Sequence, residues 1–262
     1  MLTLFSCGKT DVIAPPPGIE INKSQTAENL NKFYGTEMKN LYIRVFYETG
    51  AEPYAGNNSR DQPVWGLLEQ NIKQVFETRN QTVTFHVPKN LSEMSEFPAQ
   101  NKVGWRTSEL VQFAEGLGVP PSTNETAYFT IVFVKGGFDT GQDITNSVLG
   151  VSIAGTTIIA IFKDAIRLLG PSDQSLTVKF GEQATLVHEM GHALGIVANG
   201  VNVVEDHHDE DHGSHCSNSS CVMYWMNEGN KDLLEFIQGI VQNGNATLYG
   251  QQCLDDIKAY NP

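Results

Sequence analysis

Two histidines of this chain, His188 and His192, stand four residues apart, and Glu189 follows the first of them. The segment reads Thr185-Leu186-Val187-His188-Glu189-Met190-Gly191-His192-Ala193-Leu194-Gly195. Residues four apart on a helix project from one face, so two imidazoles one turn apart can both reach one zinc ion at about 2.0–2.1 Å. Glu189 leaves the helix at a different angle. It is placed to stay off the metal and to accept a proton from metal-activated water. The expected chemistry is zinc-assisted hydrolysis with Glu189 as general base. Such a site needs a third protein ligand and an open fourth position.

Gly195 supplies a residue that can take the left-handed conformation at which helices end. HExxH followed by this glycine resembles the metzincin class of zinc peptidases, whose pattern is HExxHxxGxxH with a later methionine turn. The match holds through Gly195 and then departs, because position 198 is Ala198. It resumes at His215-Cys216-Ser217-Asn218-Ser219-Ser220-Cys221-Val222-Met223-Tyr224, which resembles the archaemetzincin pattern HCxxxxCxM. The archaemetzincin resemblance covers residues 188–223 only, and leishmanolysin-type enzymes are similar in carrying an insertion before the third histidine. It implies that His215 is the third zinc ligand and that Met223 forms a hydrophobic floor beneath the metal. It further implies that Tyr224 and Trp225 line the pocket for the substrate side chain beyond the cut, with a tyrosine there steadying the oxyanion. Packing of the C-terminal part is the other use open to these two aromatics. The chain lacks that family's later CxxC, since only Cys253 follows, so the family's second, cysteine-bound zinc has no full ligand set to carry over.

The insertion between the two halves of the motif holds three rival ligands, His207, His208 and His212. It also holds five carboxylates, Glu205, Asp206, Asp209, Glu210 and Asp211. As a solvated acidic loop it needs no function; an accessory metal site or a lid over the cleft are the sharper readings. Cys216 and Cys221 stand five apart around a polar loop, so in an exported protein a disulfide between them is the simplest expectation. The competing pair joins Cys253 to one of them.

Several elements must hold these residues in place. Leu41–Tyr47 is β-branched and aromatic, and reads as a strand. Apolar residues at Val64, Leu67, Leu68, Ile72, Val75 and Phe76 have helical spacing within 64–79. A strand over 82–87, a short helix over 108–115 and a strand over 127–134 follow, the last apolar enough to be buried on both faces. Residues 149–153 and 157–162 read as a hairpin turning at Ala154-Gly155-Thr156, and either arm could be the edge strand that pairs with an extended substrate. A helix over about 181–194 carries the histidines, and a last helix is expected over 231–242. The fold class is α/β (α+β): by resemblance, a metzincin-like twisted mixed sheet with helices, plus a small loop-rich C-terminal subdomain ending in a helix. The expected division is a lipobox-like segment and linker over 1–40, a catalytic subdomain over 41–195, and a C-terminal subdomain over 196–262.

Leu4-Phe5-Ser6-Cys7 resembles a bacterial lipobox, which implies lipidation at Cys7 and an extracytoplasmic, membrane-anchored protein. With 17 basic and 30 acidic residues among 262 the net charge is −13. Phosphate neutralisation needs clustered Lys and Arg, so nucleic acid is excluded as the expected partner, and so is an anionic membrane surface. The partner expected is a peptide or protein substrate, the membrane entering only through Cys7, and the chain is expected to be a monomer. The expected function is zinc-dependent endopeptidase. The alternatives are a zinc hydrolase of a non-peptide substrate and a non-catalytic surface lipoprotein that binds a metal or a partner.

Overall fold

The computed structural model describes residues 23–58, 61–172, 175–224, 233, 236–237 and 247–262. In chain order these form α1 (Lys23–Tyr34), β1 (Asn40–Glu48), α2 (Gly66–Glu77), β2 (Thr84–His86), β3 (Ser95–Phe97), β4 (Gly104–Trp105), α3 (Thr107–Glu115) and β5 (Thr126–Val134). There follow β6 (Gly137–Asp139), β7 (Ile144–Thr145), β8 (Gly150–Ser152), β9 (Ile158–Phe162), α4 (Lys163–Arg167) and α5 (Leu176–Ala193). The last elements are β10 (His208–Asp209), β11 (His215–Cys216) and α6 (Gln251–Ala259). The main sheet runs β2-β1-β5-β9-β8, with β3 also paired to β1. All its pairs are parallel except β8 with β9, so β8 is an antiparallel edge. A small side sheet joins β4, β6 and β7.

The run Thr-Ala-Tyr-Phe-Thr-Ile-Val-Phe-Val makes β5 a central strand, and every residue from Phe129 to Val134 is buried. Branched and aromatic side chains suit a pleated surface covered on both sides. Phe129 packs on Phe33 of α1 and Phe133 on Trp65 just before α2. The expected strands and helices between 41 and 194 are present, with ends shifted by a few residues. The sheet is mixed and the fold α/β.

The expected linker is corrected over 23–34. There Leu30, Phe33 and Tyr34 are spaced to share one face of a helix and are buried in the core. The Tyr34 hydroxyl donates to the Leu194 carbonyl (2.8 Å), which ties α1 to the end of α5. Most of the expected helix over 231–242, like Cys7 and Trp225, lies outside the described residues. Helix α6 was not anticipated from the sequence. Its buried Cys253, Leu254 and Ile257 make a short apolar stripe on an otherwise polar segment.

Helix α5 positions the site. Ser175 caps it, its side chain accepting from Val178 N (3.3 Å), so the helix starts five residues earlier than expected. It is buried almost all round from Val178 to Gly191, as a helix enclosed by other elements must be. Its one buried charge near the start, Glu182, meets the Lys163 ammonium of α4, and both side chains are buried. Glu182 also accepts from Tyr54 N (2.8 Å), and the Lys163 ammonium lies over the Tyr54 ring, 3.4 Å from its centre. Burial pushes the Glu182 carboxyl above the usual range, and Lys163 opposes this. Removing one partner of a buried pair strands the other, at a cost of about 3–5 kcal/mol. Lys163→Met is therefore expected to lower the unfolding free energy by about that much in urea titration. A loss well under 1 kcal/mol would show that the pair is not what fixes α5 against α4.

Candidate metal centre

Helix α5 ends as the sequence predicts. Gly195 takes φ +81°. Gly195 N donates to the His192 carbonyl and Ile196 N to the Gly191 carbonyl, both at 3.0 Å, which is the six-to-one, five-to-two closure of a Schellman turn. A Cβ on Gly195 would lie 2.8 Å from Leu30 of α1, so close packing as well as conformation requires glycine here. Val197 and Ala198 are left-handed too, φ 57° and 55°.

His188, His192 and His215 converge, their ligand atoms all within 4.8 Å of one another. His188 and His215 are buried and His192 is half-buried. The Nε2 atoms of His188 and His192 are 3.1 Å apart. Two nitrogens sharing a tetrahedral zinc at about 2.0–2.1 Å stand roughly 3.3 Å apart, so the separation fits a common ion. The rings are also oriented for one. His188 Nδ1 donates to the Val222 carbonyl (2.7 Å) and His215 Nδ1 to the His212 carbonyl (2.5 Å). A carbonyl only accepts, so each Nδ1 carries the proton and each Nε2 presents a lone pair. Such outer hydrogen bonds fix tautomer and ring direction in metal sites. These three residues could hold a metal ion.

The rival histidines are used otherwise. His208 Nε2 donates to the Gly213 carbonyl (2.6 Å), and His212 Nδ1 lies 2.9 Å from Asp209 Oδ1. Part of the insertion folds back as a strand. Asp209 of β10 pairs with His215 of β11, and His208 with Cys216. His207 is buried in a second group with Cys216 and Cys253, also of a kind that could hold a metal ion. There the Cys216 side chain, then Asp256, raises the His207 imidazole to about 9. Hydrogen bonds from Cys221 and Cys253 hold the Cys216 thiol far below its ordinary value. The expected Cys216–Cys221 disulfide is corrected: the two sulfurs are not bridged to each other, and Cys221 Sγ lies 3.6 Å from that of Cys253. Five residues of loop allow a bridge but do not impose one, and the fold instead brings α6 up to Cys221.

Met223 is buried beneath α5. A Cβ built on Gly191, between the two helix histidines, would collide with Met223 Sδ and sit 3.0 Å from Tyr249 Cε1. The Tyr249 hydroxyl donates to the Val187 carbonyl (2.7 Å). Gly191 is thus the contact point between α5 and the turn below it. The sequence held one signal for it: a lone glycine within a helix usually has a packing reason. Overpacking costs about 1–3 kcal/mol, so Gly191→Ala is expected to lower stability by that amount in chemical denaturation. In a Met223→Ala background the same glycine change is expected to cost less than it does alone, because the sulfur that Cβ meets is gone. Strict additivity of the two changes would contradict the contact.

Tyr224 is half-buried directly after Met223, bridged to Cys216. Glu189 is buried next to the edge strand, where a Cβ on Gly150 would lie 3.1 Å from Glu189 Cγ and 2.9 Å from Thr185 Cγ2. Of the two hairpin arms, then, the one at 150–152 is the edge and the one at 158–162 is interior. Among the described residues no helix is long and apolar enough to cross a membrane. No protein-family model, curated protein or solved structure matches the chain.

Proposed function

We propose that this chain is a zinc-dependent endopeptidase with a metzincin-like centre at His188, His192 and His215. The observation that carries this reading is the convergence of three imidazoles, two with their Nδ1 atoms tied to backbone carbonyls. A set of neutral imidazoles suits zinc. Zinc held there supplies Lewis acidity, bringing the pKa of water down towards about 7 and polarising a carbonyl oxygen.

The chain's own residues do the rest. Glu189 follows His188 on α5 and stands outside the group of three converging ligands. It accepts the proton of the attacking water and delivers it to the leaving amine nitrogen. Met223, under Gly191, holds an apolar floor beneath the ligands. The edge strand β8 offers an extended peptide a row of backbone groups to pair with. Its first residue, Gly150, sits against Glu189, so a peptide paired there runs past the base. Tyr224, directly after Met223, lines the pocket beyond the cut or steadies the oxyanion in this reading. Residue Cys7 anchors the chain outside the cytoplasm through lipid in the same reading, which the lipobox-like Leu4-Phe5-Ser6-Cys7 supports.

An unbiased peptide-library digest beside a panel of esters and phosphodiesters tests the substrate class. New peptide termini with the panel intact are expected. Turnover confined to the panel would replace the peptidase by another hydrolase. No turnover of either kind, with metal bound, would favour the non-catalytic reading.

A further inference from the structure

The edge strand β8 and the helix of the metal centre meet at Gly150. A Cβ there would lie 2.9 Å from Ile161 Cδ1, 2.9 Å from Thr185 Cγ2 and 3.1 Å from Glu189 Cγ. Carbon atoms pack best at about 3.5–4.0 Å, so the side chain that Gly150 lacks would overlap its neighbours by about 0.5 Å or more. Backbone conformation does not call for the glycine, since Gly150 takes no left-handed φ. Glycine inside a strand weakens it and commonly marks the close approach of another group. One of the groups that approaches is Glu189, the general base of the proposed reaction.

Most of what surrounds this contact is held. Leu149 and Ile153, on either side of Gly150, are buried. Phe162 N donates to the Leu149 carbonyl (2.9 Å) and Ile153 N to the Ile158 carbonyl (3.0 Å). Strand β9 behind them is itself paired to β5. Strand β8 therefore cannot back away without breaking its ladder. On the other side, Thr185 and Glu189 are four apart and share one face of α5, a helix buried over most of this stretch. Thr185 branches at Cβ and is stiff. Its Oγ1 is buried with no hydrogen-bond partner among the described residues, so packing seats the side chain. Ile161 Cδ1 is the far end of a side chain and can turn aside. Glu189 Cγ lies in the middle of its side chain, so a push there swings the carboxylate.

We infer that Gly150 is a positioning residue for the hydrolytic reaction: the side chain it lacks leaves the place against which Glu189 Cγ packs, and this contact sets the direction of the carboxylate. The role rests on the peptidase reading. It gives β8 a second use besides pairing with an extended peptide, because the same strand is the wall on which the base is set. Substrate backbone and base then share one reference surface. A misplacement of about 1 Å can cost about 10²-fold in rate, so a single methyl group at this position reaches the chemistry.

The test is Gly150→Ala in the full chain loaded with zinc. The kcat for peptide cleavage is expected to fall about 10–100-fold, with KM near its unaltered value. Zinc affinity by chelator competition is expected to hold, because the three atoms nearest the added Cβ belong to no imidazole. A crystal structure of the variant reads the cause apart from activity: Glu189 Cγ is expected to be displaced and β8 to stay in place. In a Thr185→Ser background Cγ2 is gone and the alanine can settle away from Glu189, so the same glycine change is expected to cost less. Should Gly150→Ala not fold alone, the double variant against Thr185→Ser gives the same comparison of kcat with KM. An unaltered kcat would overturn the inference. So would a raised KM at unaltered kcat, which would mean that β8 had moved and only substrate pairing had suffered. A zinc-loaded unaltered chain that cleaves no peptide would instead overturn the peptidase reading, and this role with it.

Discussion

Replacing Glu189 by Gln is expected to leave zinc bound and to lower kcat/KM for peptide cleavage by about 10²–10⁴-fold, the range that a positioned general base contributes. The amide matches the carboxylate in shape, so the replacement side chain fits the space beside Gly150 while losing the ability to take a proton. The three imidazoles are untouched, so metal content is the control that separates chemistry from binding. Zinc loss in parallel with activity would make Glu189 a structural partner of the site. Cleavage within tenfold of the unaltered chain would remove it as the base.

Replacing His215 by Ala is expected to weaken zinc at the hydrolytic centre by more than the roughly 10–100-fold that loss of an outer hydrogen-bond partner costs, and to abolish cleavage with it. Parallel changes at the rival histidines separate the readings. His212 serves His215 through its backbone carbonyl, which His212→Ala keeps, so that variant is expected to hold zinc. His208 donates its Nε2 to Gly213 and is not among the three converging imidazoles, so His208→Ala is expected to hold it as well. Competition with a chromophoric chelator reads all three affinities. Full affinity in His215→Ala would falsify its assignment as third ligand.

What the sequence disclosed and what it withheld follow from the range of the forces involved. The face shared by His188 and His192 is a property of helical pitch, so four residues of spacing were enough. Gly195 was legible for a similar reason, since a helix end needs a left-handed residue there and the sequence offers one. The near-continuous apolar run of β5 announced a strand buried on both faces. His215 came from a resemblance in its flanking residues, and the structure brings it to the other two. Helix α1 was lost among its polar neighbours because only Leu30, Phe33 and Tyr34 reach the core. The Cys216–Cys221 expectation failed because spacing along a loop says nothing of what packs on it from elsewhere. Cys253 arrives from thirty-two residues further on, and His207 from nine residues before Cys216. The Gly191–Met223 contact is likewise tertiary. Local periodicity shows a glycine in a helix, but not which side chain fills the space it leaves.

The most direct measurement of the central claim is a zinc back-titration of metal-free protein, following cleavage of a peptide taken from the library digest. Metal-free chain is expected to be inert, and cleavage to return in step with zinc occupancy of His188, His192 and His215, while the Glu189→Gln chain takes up the same zinc and stays inert. Cleavage by metal-free protein, or a fully loaded centre that leaves every peptide intact, would contradict the account.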